Sequence, residues 1–565
     1  MNIEERYQYW LSHPNVEETL KKELESMSPQ EINDAFYTEI EFGTAGVRGV
    51  LGAGINRINI HTIRKANAGF IKYILKYQAN STKSGVAIGY DNRHMSYELA
   101  VDSAKMMAAS GIKAYVFESL RPTPELSFAV RHLNCFGGIM ITASHNPKEY
   151  NGYKTYDETG CQLVPKLANE VIQYVNEVED LLALTTNIDE HHCDLIEFIG
   201  ETVDEAYYKE VLNIQIHPEV NKDLKIVFSP EHGASYLPVM HTLKAAGYHV
   251  ILVEEQAQPD PDFSNTPTPN PEEKGAYQKA LEYAVKHDAD LVLVCDPDGD
   301  RMGVAAKNNK GEFELITGNQ TGALLAEYIF SQLHATGAMP ENPVMFNTVV
   351  TSDLGEKVAS HHNVVTEKTL TGFKFIGEKV AKYEVNNERQ YVFGYEESYG
   401  SLIKDFVRDK DATQACLMLA EAACFYAESS KTLIDVIEEL YDRHGAYEDT
   451  QTSIMLKGQK GAEELKALIA RFRENPPVDF GGIQVVAHED FSILKHYKNN
   501  TETDLVGFVT SDVLKYYLED GSWIAIRPSG TEPKCKFYYC IKADTVVLAK
   551  EKTSQMHQVI ETMIK

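Results

Sequence analysis

Short apolar segments alternate with longer segments of helical periodicity along most of the chain. Each apolar segment spans four to six residues and is rich in branched and aromatic side chains, which favours a strand over a helix. Continuous apolar runs of this kind are typical of strands buried on both faces, in parallel or mixed sheets covered by helices. The pattern therefore predicts the α/β class, with strands over residues 85–90, 114–117, 138–142, 225–229, 249–254, 290–295 and 344–347.

Composition changes along the chain indicate several domains. A proline-rich segment, residues 258–273, separates two strand–helix units, and Asn270 followed by Pro271 predicts the start of a helix. The last hundred residues carry a different pattern, with a strand over 522–526 and a final helix over about 544–565. We predict four domains with boundaries near residues 205, 318 and 445, namely 1–205, 206–318, 319–445 and 446–565.

The charge balance restricts the classes of partner. The 565 residues include 54 Lys and Arg against 83 Asp and Glu, a formal net charge of −29. Nucleic-acid backbones and anionic membranes would be repelled by this excess, whereas a local basic pocket can still bind a phosphorylated small molecule. The length excludes a single small binding module. We expect a small-molecule substrate, no nucleic acid and no membrane.

The cysteine pattern indicates a reducing compartment. The eight cysteines are scattered and form no CxxC pair, which argues against a disulfide framework and a zinc ribbon. The N-terminal residues lack the apolar core of a signal peptide, and no stretch reaches 18 uninterrupted apolar residues. We therefore predict a cytoplasmic protein with reduced thiols.

A predicted strand over residues 290–295 ends in three carboxylates at alternate positions, Asp296, Asp298 and Asp300. Three carboxylates this close repel one another without a counter-ion, and their oxygens suit a hard cation such as Mg²⁺. An EF-hand would require Gly and Glu where this chain has Arg301 and Lys307. The segment predicts a magnesium site of another kind.

A second strand leads into a polar turn, residues 142–147 with the sequence TASHNP. A serine at the carboxyl end of a buried strand is where α/β proteins place reactive groups, although Ser144 and His145 beside Asn-Pro also suit an ordinary turn. His145 is adjacent to Ser144 and cannot be assumed to act as its base. A phosphate on Ser144 would supply the fourth metal ligand that the three aspartates lack.

Two further loops suit a sugar phosphate. Residues 527–536 combine Arg527, hydroxyl groups, glycine and two lysines, the components of a phosphate cradle, although a solvated turn would have a similar composition. The Walker A pattern GxxxxGK is absent there and in the glycine-rich segment 43–49. Residues 394–400 carry adjacent carboxylates and a hydroxyl that could accept hydrogen bonds from vicinal sugar hydroxyls. Residues 371–374 and 408–411 are weaker candidates.

Taken in order, these segments resemble those of the α-D-phosphohexomutase family, which includes phosphoglucomutase and phosphomannomutase. TASHNP at 142–147 is similar to the phosphoserine loop, DPDGDR at 296–301 to the metal loop, EES at 396–398 to the sugar loop and RPSGT at 527–531 to the phosphate loop. The resemblance implies three mixed α/β domains of shared design and a C-terminal α+β domain, arranged around a central cleft with one loop from each.

The resemblance also implies the reaction, a reversible transfer of phosphate between C1 and C6 of a hexose through a bisphosphorylated intermediate. Phospho-Ser144 would donate and take back the phosphoryl group, and it would share Mg²⁺ with Asp296, Asp298 and Asp300. Arg301 and His145 would steady the transferring phosphate. The remaining roles are proton transfer and charge stabilisation, assigned to Lys154 and Arg48, and substrate binding, assigned to Thr371, Gly372, Glu396, Ser398, Lys410, Arg527, Ser529, Gly530 and Thr531.

The form of the sugar loop bears on the substrate. Glu-Glu-Ser-Tyr-Gly at 396–400 resembles the glucose-preferring form, so glucose phosphate is the expected substrate and glucose 1,6-bisphosphate the expected activator and intermediate. The chain length and the sequence RPSGTEPK resemble a longer branch that also includes phosphopentomutases, so ribose or deoxyribose phosphate remains an alternative, as does mannose phosphate. The implied protein is an isomerase of carbohydrate metabolism, as a monomer or weak homodimer.

Two other classes are weighed against a mutase. A strand followed by Asp-x-Asp-Gly also resembles the loop of haloacid-dehalogenase-type phosphatases, in which Asp296 would be phosphorylated. That family requires a threonine where Asp300 stands, and it leaves the loops at Ser144 and Arg527 without a purpose. A non-catalytic sugar-phosphate-binding protein would be expected to lack a catalytic residue. This chain retains every position that matches the four phosphohexomutase loops, which argues against that class.

Overall fold

The computed structural model of the chain describes residues 1–44, 46–78, 84–186, 190–456, 458–528 and 534–564. The strands are β1 Val47–Val50, β2 Val86–Tyr90, β3 Ala114–Phe117, β4 Gly137–Ile141, β5 Tyr150–Tyr156, β6 Ile196–Ile199, β7 Lys225–Ser229, β8 His249–Leu252, β9 Leu291–Cys295, β10 Met302–Lys307, β11 Phe313–Ile316, β12 Pro343–Thr348, β13 Val365–Thr369, β14 Gln390–Tyr395, β15 Ser401–Leu402, β16 Ala446–Met455, β17 Asp479–Phe480, β18 Ile483–Asp490, β19 Lys495–Lys498, β20 Thr501–Asp504, β21 Leu514–Leu518, β22 Trp523–Pro528 and β23 Lys534–Ala543.

The α-helices are α1 Ile3–Ser12, α2 Glu18–Ser26, α3 Pro29–Phe36, α4 Ile60–Gln78, α5 Ser96–Ala109, α6 Thr123–His132, α7 Pro165–Asn176, α8 Glu190–Cys193, α9 Glu201–Leu212, α10 Tyr236–Ala245, α11 Gln278–His287, α12 Gly318–Ala335, α13 Asp353–His361, α14 Phe373–Asn386, α15 Ala412–Ala427, α16 Leu433–His444, α17 Gly458–Glu474 and α18 Val546–Ile564. Within the described ranges, no helix combines the length and the apolar character needed to cross a membrane.

The chain divides into two compact units. The first contains Met1–Gly318, Pro340–Val344 and Phe373–Ser430, and the second contains Asn319–Met339, Met345–Gly372 and Lys431–Lys565. Both combine helices with sheets, so the predicted α/β class is confirmed.

The N-terminal sheet of the first unit has the strand order β1-β5-β4-β2-β3-β6. Strand β2 pairs in parallel with β3 and β4, and β5 runs antiparallel to β1 and β4. Every residue of β2 and β4 is buried, which agrees with the continuous apolar pattern of these segments. Because β2 and β4 are parallel neighbours, the loops at their carboxyl ends share one edge of the sheet.

The second sheet of the first unit has the order β11-β10-β9-β7-β8, with β9 parallel to β7 and antiparallel to β10. All five residues of β9 are buried. The α-helix expected at Pro271 begins only at Gln278 and is preceded by a 3₁₀ turn over Lys274–Tyr277. Asn270 instead closes a local turn, since its Oδ1 accepts from the backbone N–H of Glu272 at 3.1 Å.

The predicted strands before β14 end within two residues of the observed ones. Except in β8, which lies at the edge of its sheet and has no fully buried residue, this agreement follows from burial on both faces, because a strand of this type shows its length directly as an apolar run. All eight cysteines lie in the described ranges and are free thiols, as predicted.

The C-terminal sheet of the second unit is antiparallel, in the order β16-β23-β22-β21-β18-β19-β20, with β17 beside β18. Helix α18 packs on β16 and β23, where Met556 and Ile560 join a core with Phe537 and Ile524. The strand expected over 522–526 is β22, and the final helix is α18, which ends at Ile564; Lys565 lies outside the described residues.

Candidate active site

The loop after β9 carries the three aspartates in a tight, buried turn. The backbone N–H groups of Asp300 and Arg301 donate to Asp296 Oδ1 at 3.1 and 3.0 Å. Gly299 has φ +65°, and a Cβ there would lie 2.7 Å from the Cβ of Pro122, so glycine is required for both conformation and space. The turn thus directs three carboxylates to one point, although each is at most 2% exposed.

The donor set fits a divalent metal ion. One oxygen from each aspartate lies within 4.8 Å of the others, and no second group of three possible ligands is this close among the described residues. Asp298 Oδ1 and Asp300 Oδ1 are buried and accept no hydrogen bond. A buried acceptor without a partner costs free energy, and carboxylate oxygens are the ligands that hard divalent cations prefer. The loop therefore has unused acceptor capacity where a cation would bind.

Two lysines lie at the outer side of the aspartates. Lys154 Nζ is 2.9 Å from Asp298 Oδ2, and Lys410 Nζ is 3.1 Å from Asp300 Oδ2. Lys154 comes from β5, opposite Met140 of β4, and its side chain is 6% exposed. Burial alone would lower the pKa of Lys410, but the neighbouring carboxylates of Asp300 and Asp409 raise it overall. Both lysines thus reduce the negative charge of the cluster without occupying its free oxygens.

The aspartates differ in proton affinity. Burial and the charges of Asp300 and Asp298 raise the pKa of Asp296 well above its usual range. Burial acts the same way on Asp298, but the ion pair with Lys154 outweighs it and lowers the pKa of that carboxyl. A bound cation favours the ionised form of its ligands, so it would oppose this rise in the pKa of Asp296.

Ser144 is placed directly against this cluster. Its Oγ donates to Asp296 Oδ2 at 2.9 Å, and its backbone N–H donates to Thr142 Oγ1 at 2.8 Å. The residue has φ +54°, a left-handed conformation that costs a non-glycine residue about 1–3 kcal/mol. The surrounding structure must therefore stabilise this conformation. The conformation places the hydroxyl of Ser144, which follows β4 of the first sheet, against the carboxylate of Asp296, which follows β9 of the second sheet.

His145 and Arg48 flank the serine. His145 Nδ1 lies 3.1 Å from Ser144 Oγ, and Arg48 donates from Nη1 to Asn146 Oδ1 at 3.3 Å. Burial, reinforced by the positive charges of Arg301 and Arg48, lowers the pKa of His145 well below its usual range. The imidazole is therefore neutral. Since the Ser144 hydroxyl donates to Asp296, its contact with His145 requires the proton on Nδ1.

Arg301 is held by a carboxylate that the sequence analysis did not identify. Its Nη1 donates to Glu272 Oε1 at 2.6 Å, and its Nε lies 3.7 Å from Asp300 Oδ1. Burial would lower the pKa of this guanidinium, but Glu272 and Asp300 raise it overall, with a smaller contribution from Glu396. The proline-rich segment thus contributes to the site through Glu272.

The loop over residues 396–400 adjoins the loop that carries Asp296, Asp298 and Asp300, here called the aspartate loop. The backbone N–H of Met302 donates to the carbonyl of Tyr399 at 3.0 Å. Glu396 is 4% exposed and Ser398 is partly exposed. The charge of Glu396 acts on both Arg301 and Lys410. The first unit therefore gathers eleven predicted residues in one region: Arg48, Ser144, His145, Lys154, Asp296, Asp298, Asp300, Arg301, Glu396, Ser398 and Lys410.

The other predicted residues belong to the second unit. Thr371 and Gly372 follow β13, where Gly372 has φ +117° and the Thr371 hydroxyl is buried. Arg527 lies in β22 opposite Lys536. Ser529, Gly530 and Thr531 lie outside the described residues.

Besides Glu272, two residues at this site were missed in the sequence. Thr123, at the start of α6, donates from Oγ1 to Asp298 Oδ2 at 3.1 Å. Arg93 donates to the carbonyl of Ser144 at 2.5 Å. Arg93 could have been suspected, because it follows β2 just as Ser144 follows β4, and polar residues after neighbouring parallel strands meet at one edge.

The chain matches four family models in sequence order. They are described as phosphoglucomutase/phosphomannomutase α/β/α domain I over residues 39–181, domain II over 205–311, domain III over 317–444 and the C-terminal domain over 459–551.

Similar proteins are known by sequence and by structure. A phosphoglucomutase from Staphylococcus aureus strain MRSA252 is 37% identical over 94% of this chain and 95% of its own. Parafusin, a phosphoglucomutase from Paramecium solved in an open form, has TM-score 0.66 at 16% identity over 93% of this chain and 95% of its own. A phosphoglucomutase/phosphomannomutase family protein from Burkholderia thailandensis has TM-score 0.65 at 17% identity over 92% and 97%. With all four domain models matched in order, the chain belongs to the phosphoglucomutase/phosphomannomutase family.

Proposed function

We propose that the protein is a phosphoglucomutase that interconverts α-D-glucose 1-phosphate and glucose 6-phosphate. The observation that carries this proposal is the 2.9 Å contact between Ser144 Oγ and Asp296 Oδ2, which joins a candidate phosphoryl carrier to a divalent-metal site. A family member 37% identical over most of the chain has this activity by name.

In the proposed reaction, the phosphoryl group of phospho-Ser144 passes to the free hydroxyl of the sugar phosphate. The bond from phosphorus to Ser144 Oγ breaks, a bond to the sugar oxygen forms, and the proton of the sugar hydroxyl ends on Ser144 Oγ, with Lys154 and Arg48 assigned to proton transfer and charge stabilisation at the attacking hydroxyl. The resulting glucose 1,6-bisphosphate returns its other phosphoryl group to Ser144, which completes the exchange. Mg²⁺ on the three aspartates and a phosphoserine oxygen would neutralise charge on the transferring group.

The neighbouring residues suit the supporting roles. His145 is neutral and carries a proton on Nδ1 beside Ser144 Oγ, so it can donate to a phosphate oxygen there. Arg301 stays charged and is oriented by Glu272, as a group that steadies a phosphate must be. Glu396 and Ser398 would accept from sugar hydroxyls.

The other assignments remain proposals of the same kind. Arg527, Ser529, Gly530 and Thr531 would hold the phosphate that is not reacting, and Thr371, Gly372 and Lys410 would contact the substrate. We propose that glucose 1,6-bisphosphate acts as the activator. We also propose that the protein is a cytoplasmic monomer or weak homodimer, and that its four domains are divided near residues 205, 318 and 445.

The proposal is tested by ³¹P NMR of the purified protein with Mg²⁺, a trace of glucose 1,6-bisphosphate and, in turn, the 1-phosphates of glucose, mannose, glucosamine and ribose. We expect the glucose 1-phosphate resonance to be replaced by that of glucose 6-phosphate, fastest among the four sugars. Ser144→Ala is the matched control and should show no conversion. Release of inorganic phosphate would indicate a hydrolase, and faster conversion of another sugar would reassign the substrate.

A further inference from the structure

We propose that Arg93 is a positioning residue for Ser144: its guanidinium gathers the carbonyl groups of the phosphoserine loop and holds the serine in its left-handed conformation. The inference rests on the proposed function of Ser144. None of the roles assigned to the site above includes Arg93.

The contacts of Arg93 converge on one short segment. Its Nη2 donates to the carbonyls of Ser144 and Asn146, both at 2.5 Å. Its Nη1 donates to the carbonyls of Pro147 at 2.8 Å and Tyr150 at 3.1 Å. A single side chain thus satisfies four carbonyl groups within seven residues of the loop.

These four contacts explain how a strained residue is maintained. The carbonyl groups can face one point only if the chain reverses between Ser144 and Asn146, and the positive φ of Ser144 produces that reversal. The planar guanidinium offers several donors in a rigid fork, whereas an ammonium is a compact charge on a flexible stem. Lysine at position 93 would retain the charge but could not satisfy the same set of carbonyls.

Arg93 is itself held rigidly. Its side chain is fully buried, and its Nε lies 3.3 Å from Asp91 Oδ2. Its Cζ lies 5.3 Å from the ring centroid of Phe263, which belongs to the proline-rich segment. The side chain of Asn92 donates to the carbonyl of Asp260 in that same segment at 2.9 Å. Segment 258–273 therefore contacts both the arginine and its neighbour Asn92.

The geometry separates Arg93 from the reacting atoms. It contacts the carbonyl of Ser144, whereas the hydroxyl of Ser144 contacts Asp296. Loss of Arg93 should therefore let the hydroxyl move away from the aspartate loop while the groups that bind substrate stay in place. A displacement of about 1 Å at a reacting group can lower the rate about 10²-fold.

The experiment compares Arg93→Lys with Arg64→Lys in the full-length protein. Arg64 is a suitable control because it makes a two-point contact with Asp102, at 2.9 and 2.8 Å, in the same unit but away from Ser144. Two kinds of measurement are made. Steady-state kinetics give kcat and KM for glucose 1-phosphate, and amide hydrogen exchange is followed in the peptide that contains residues 144–150.

We expect Arg93→Lys to lower kcat by about 10²-fold with little change in KM, and to accelerate exchange in residues 144–150 while strand β4 stays protected. Arg64→Lys should retain kcat and the exchange rate of this peptide. Added guanidinium ion should partly restore the kcat of Arg93→Ala, and ethylammonium should not. Asp91→Asn, which preserves the arginine but removes its charged partner, should show the same pattern to a smaller extent.

The outcomes distinguish the inference from the function on which it rests. Unchanged kcat and unchanged exchange in both Arg93→Lys and Asp91→Asn would overturn the positioning role. Faster exchange of residues 144–150 in Arg93→Lys, together with a wild-type protein that shows no mutase activity, would support the loop contact and overturn the proposed function. Equal losses of kcat in Arg93→Lys and Arg64→Lys would reduce Arg93 to a general contributor to stability and overturn the inference.

Discussion

The first unit contains two buried clusters of three acidic residues each, and they differ in how their oxygens are used. One is the aspartate loop, formed by Asp296, Asp298 and Asp300. The other, here called the Glu125 cluster, is formed by Glu125 of α6, Asp204 of α9 and Asp411, which caps α15.

In the Glu125 cluster, two of the acids have complete sets of donors within the protein. Asp204 accepts from Arg121 at 2.9 and 2.6 Å. Asp411 accepts from the hydroxyl of Tyr207 at 2.8 Å and from the backbone N–H of Thr413 at 2.9 Å. Burial, opposed by these hydrogen bonds, raises the pKa of Asp411 to about 6.

Glu125 itself accepts no hydrogen bond and is fully buried. Burial and the neighbouring Asp204 raise its pKa well above the usual range, although Arg121 opposes the shift. Burial thus favours the protonated, uncharged form of Glu125, and an uncharged carboxyl does not require a cation.

The aspartate loop is also acidic and buried, but one oxygen from each of its three carboxylates lies within 4.8 Å of the others. Lys154 and Lys410 balance part of the charge from outside and leave Asp298 Oδ1 and Asp300 Oδ1 without donors. Burial of acids by itself thus does not identify a functional site. Convergent acceptors without protein donors are a stronger sign, because one bound cation can satisfy several of them at once.

Removing the Ser144 hydroxyl should have the largest effect, because this hydroxyl is the proposed carrier of the phosphoryl group. We expect Ser144→Ala to abolish turnover of glucose 1-phosphate, while its melting temperature stays close to that of wild type, since one such hydrogen bond contributes about 1 kcal/mol. Ser103→Ala removes a buried hydroxyl that donates to the carbonyl of Leu99 and should retain activity. Residual turnover in Ser144→Ala would contradict the phosphoserine mechanism.

An acid-to-amide change in each cluster compares them directly. Asp298→Asn should lower kcat by about 10²–10³-fold, the loss typical when one electrostatic contact to a reacting group is removed. Glu125→Gln replaces a carboxyl whose uncharged form is favoured by burial with an uncharged amide of similar shape, and it should retain kcat. Steady-state kinetics at saturating Mg²⁺ measure both, and similar losses in the two variants would mean that the clusters are not functionally distinct.

Binding of the metal should stabilise the protein only through the aspartate loop. Addition of Mg²⁺ at 100 times its Kd to chelator-treated protein should stabilise it by about 2.7 kcal/mol, measured as a rise in melting temperature. We expect Glu125→Gln to show the full rise and Asp298→Asn a much smaller one. An equal rise in both variants would place the metal elsewhere.

The smallest effect concerns pH. A folded-state pKa of Glu125 above its usual 4.5 means that its contribution to stability is complete below pH 4.5 and is lost as the pH rises toward the folded-state value. Glu125→Gln should therefore show a shallower decrease in melting temperature above pH 4.5 than wild type. Parallel curves for the two proteins would mean that Glu125 is ionised in the folded state.

The strands and loops of the site could be predicted from the sequence because they depend on local pattern. Residues 290–295 and 138–142 are apolar runs followed at once by polar residues, so both the strand and its functional end are visible in order along the chain. The helix start expected at Pro271 was wrong, because an Asn-Pro signal also suits the local turn that Asn270 forms.

The contacts between distant segments could not be predicted in this way. Arg93 and Glu272 have no distinctive local pattern, and they act on Ser144 and Arg301 only because the sheets bring segments far apart in sequence together. The sequence analysis named Lys410 as a candidate for substrate binding, but it did not predict that its ammonium lies 3.1 Å from Asp300.

The sequence by itself thus determined the α/β class, the position of each functional loop at the end of a strand, and the chemical type of the metal ligands, because burial and ligand chemistry are properties of residue types. Only the tertiary structure decided which acceptors remain unsatisfied, which lysines balance the aspartates, and how Ser144 is held in a left-handed conformation. These depend on distances between segments far apart in the chain, and such distances are set by packing of the whole unit.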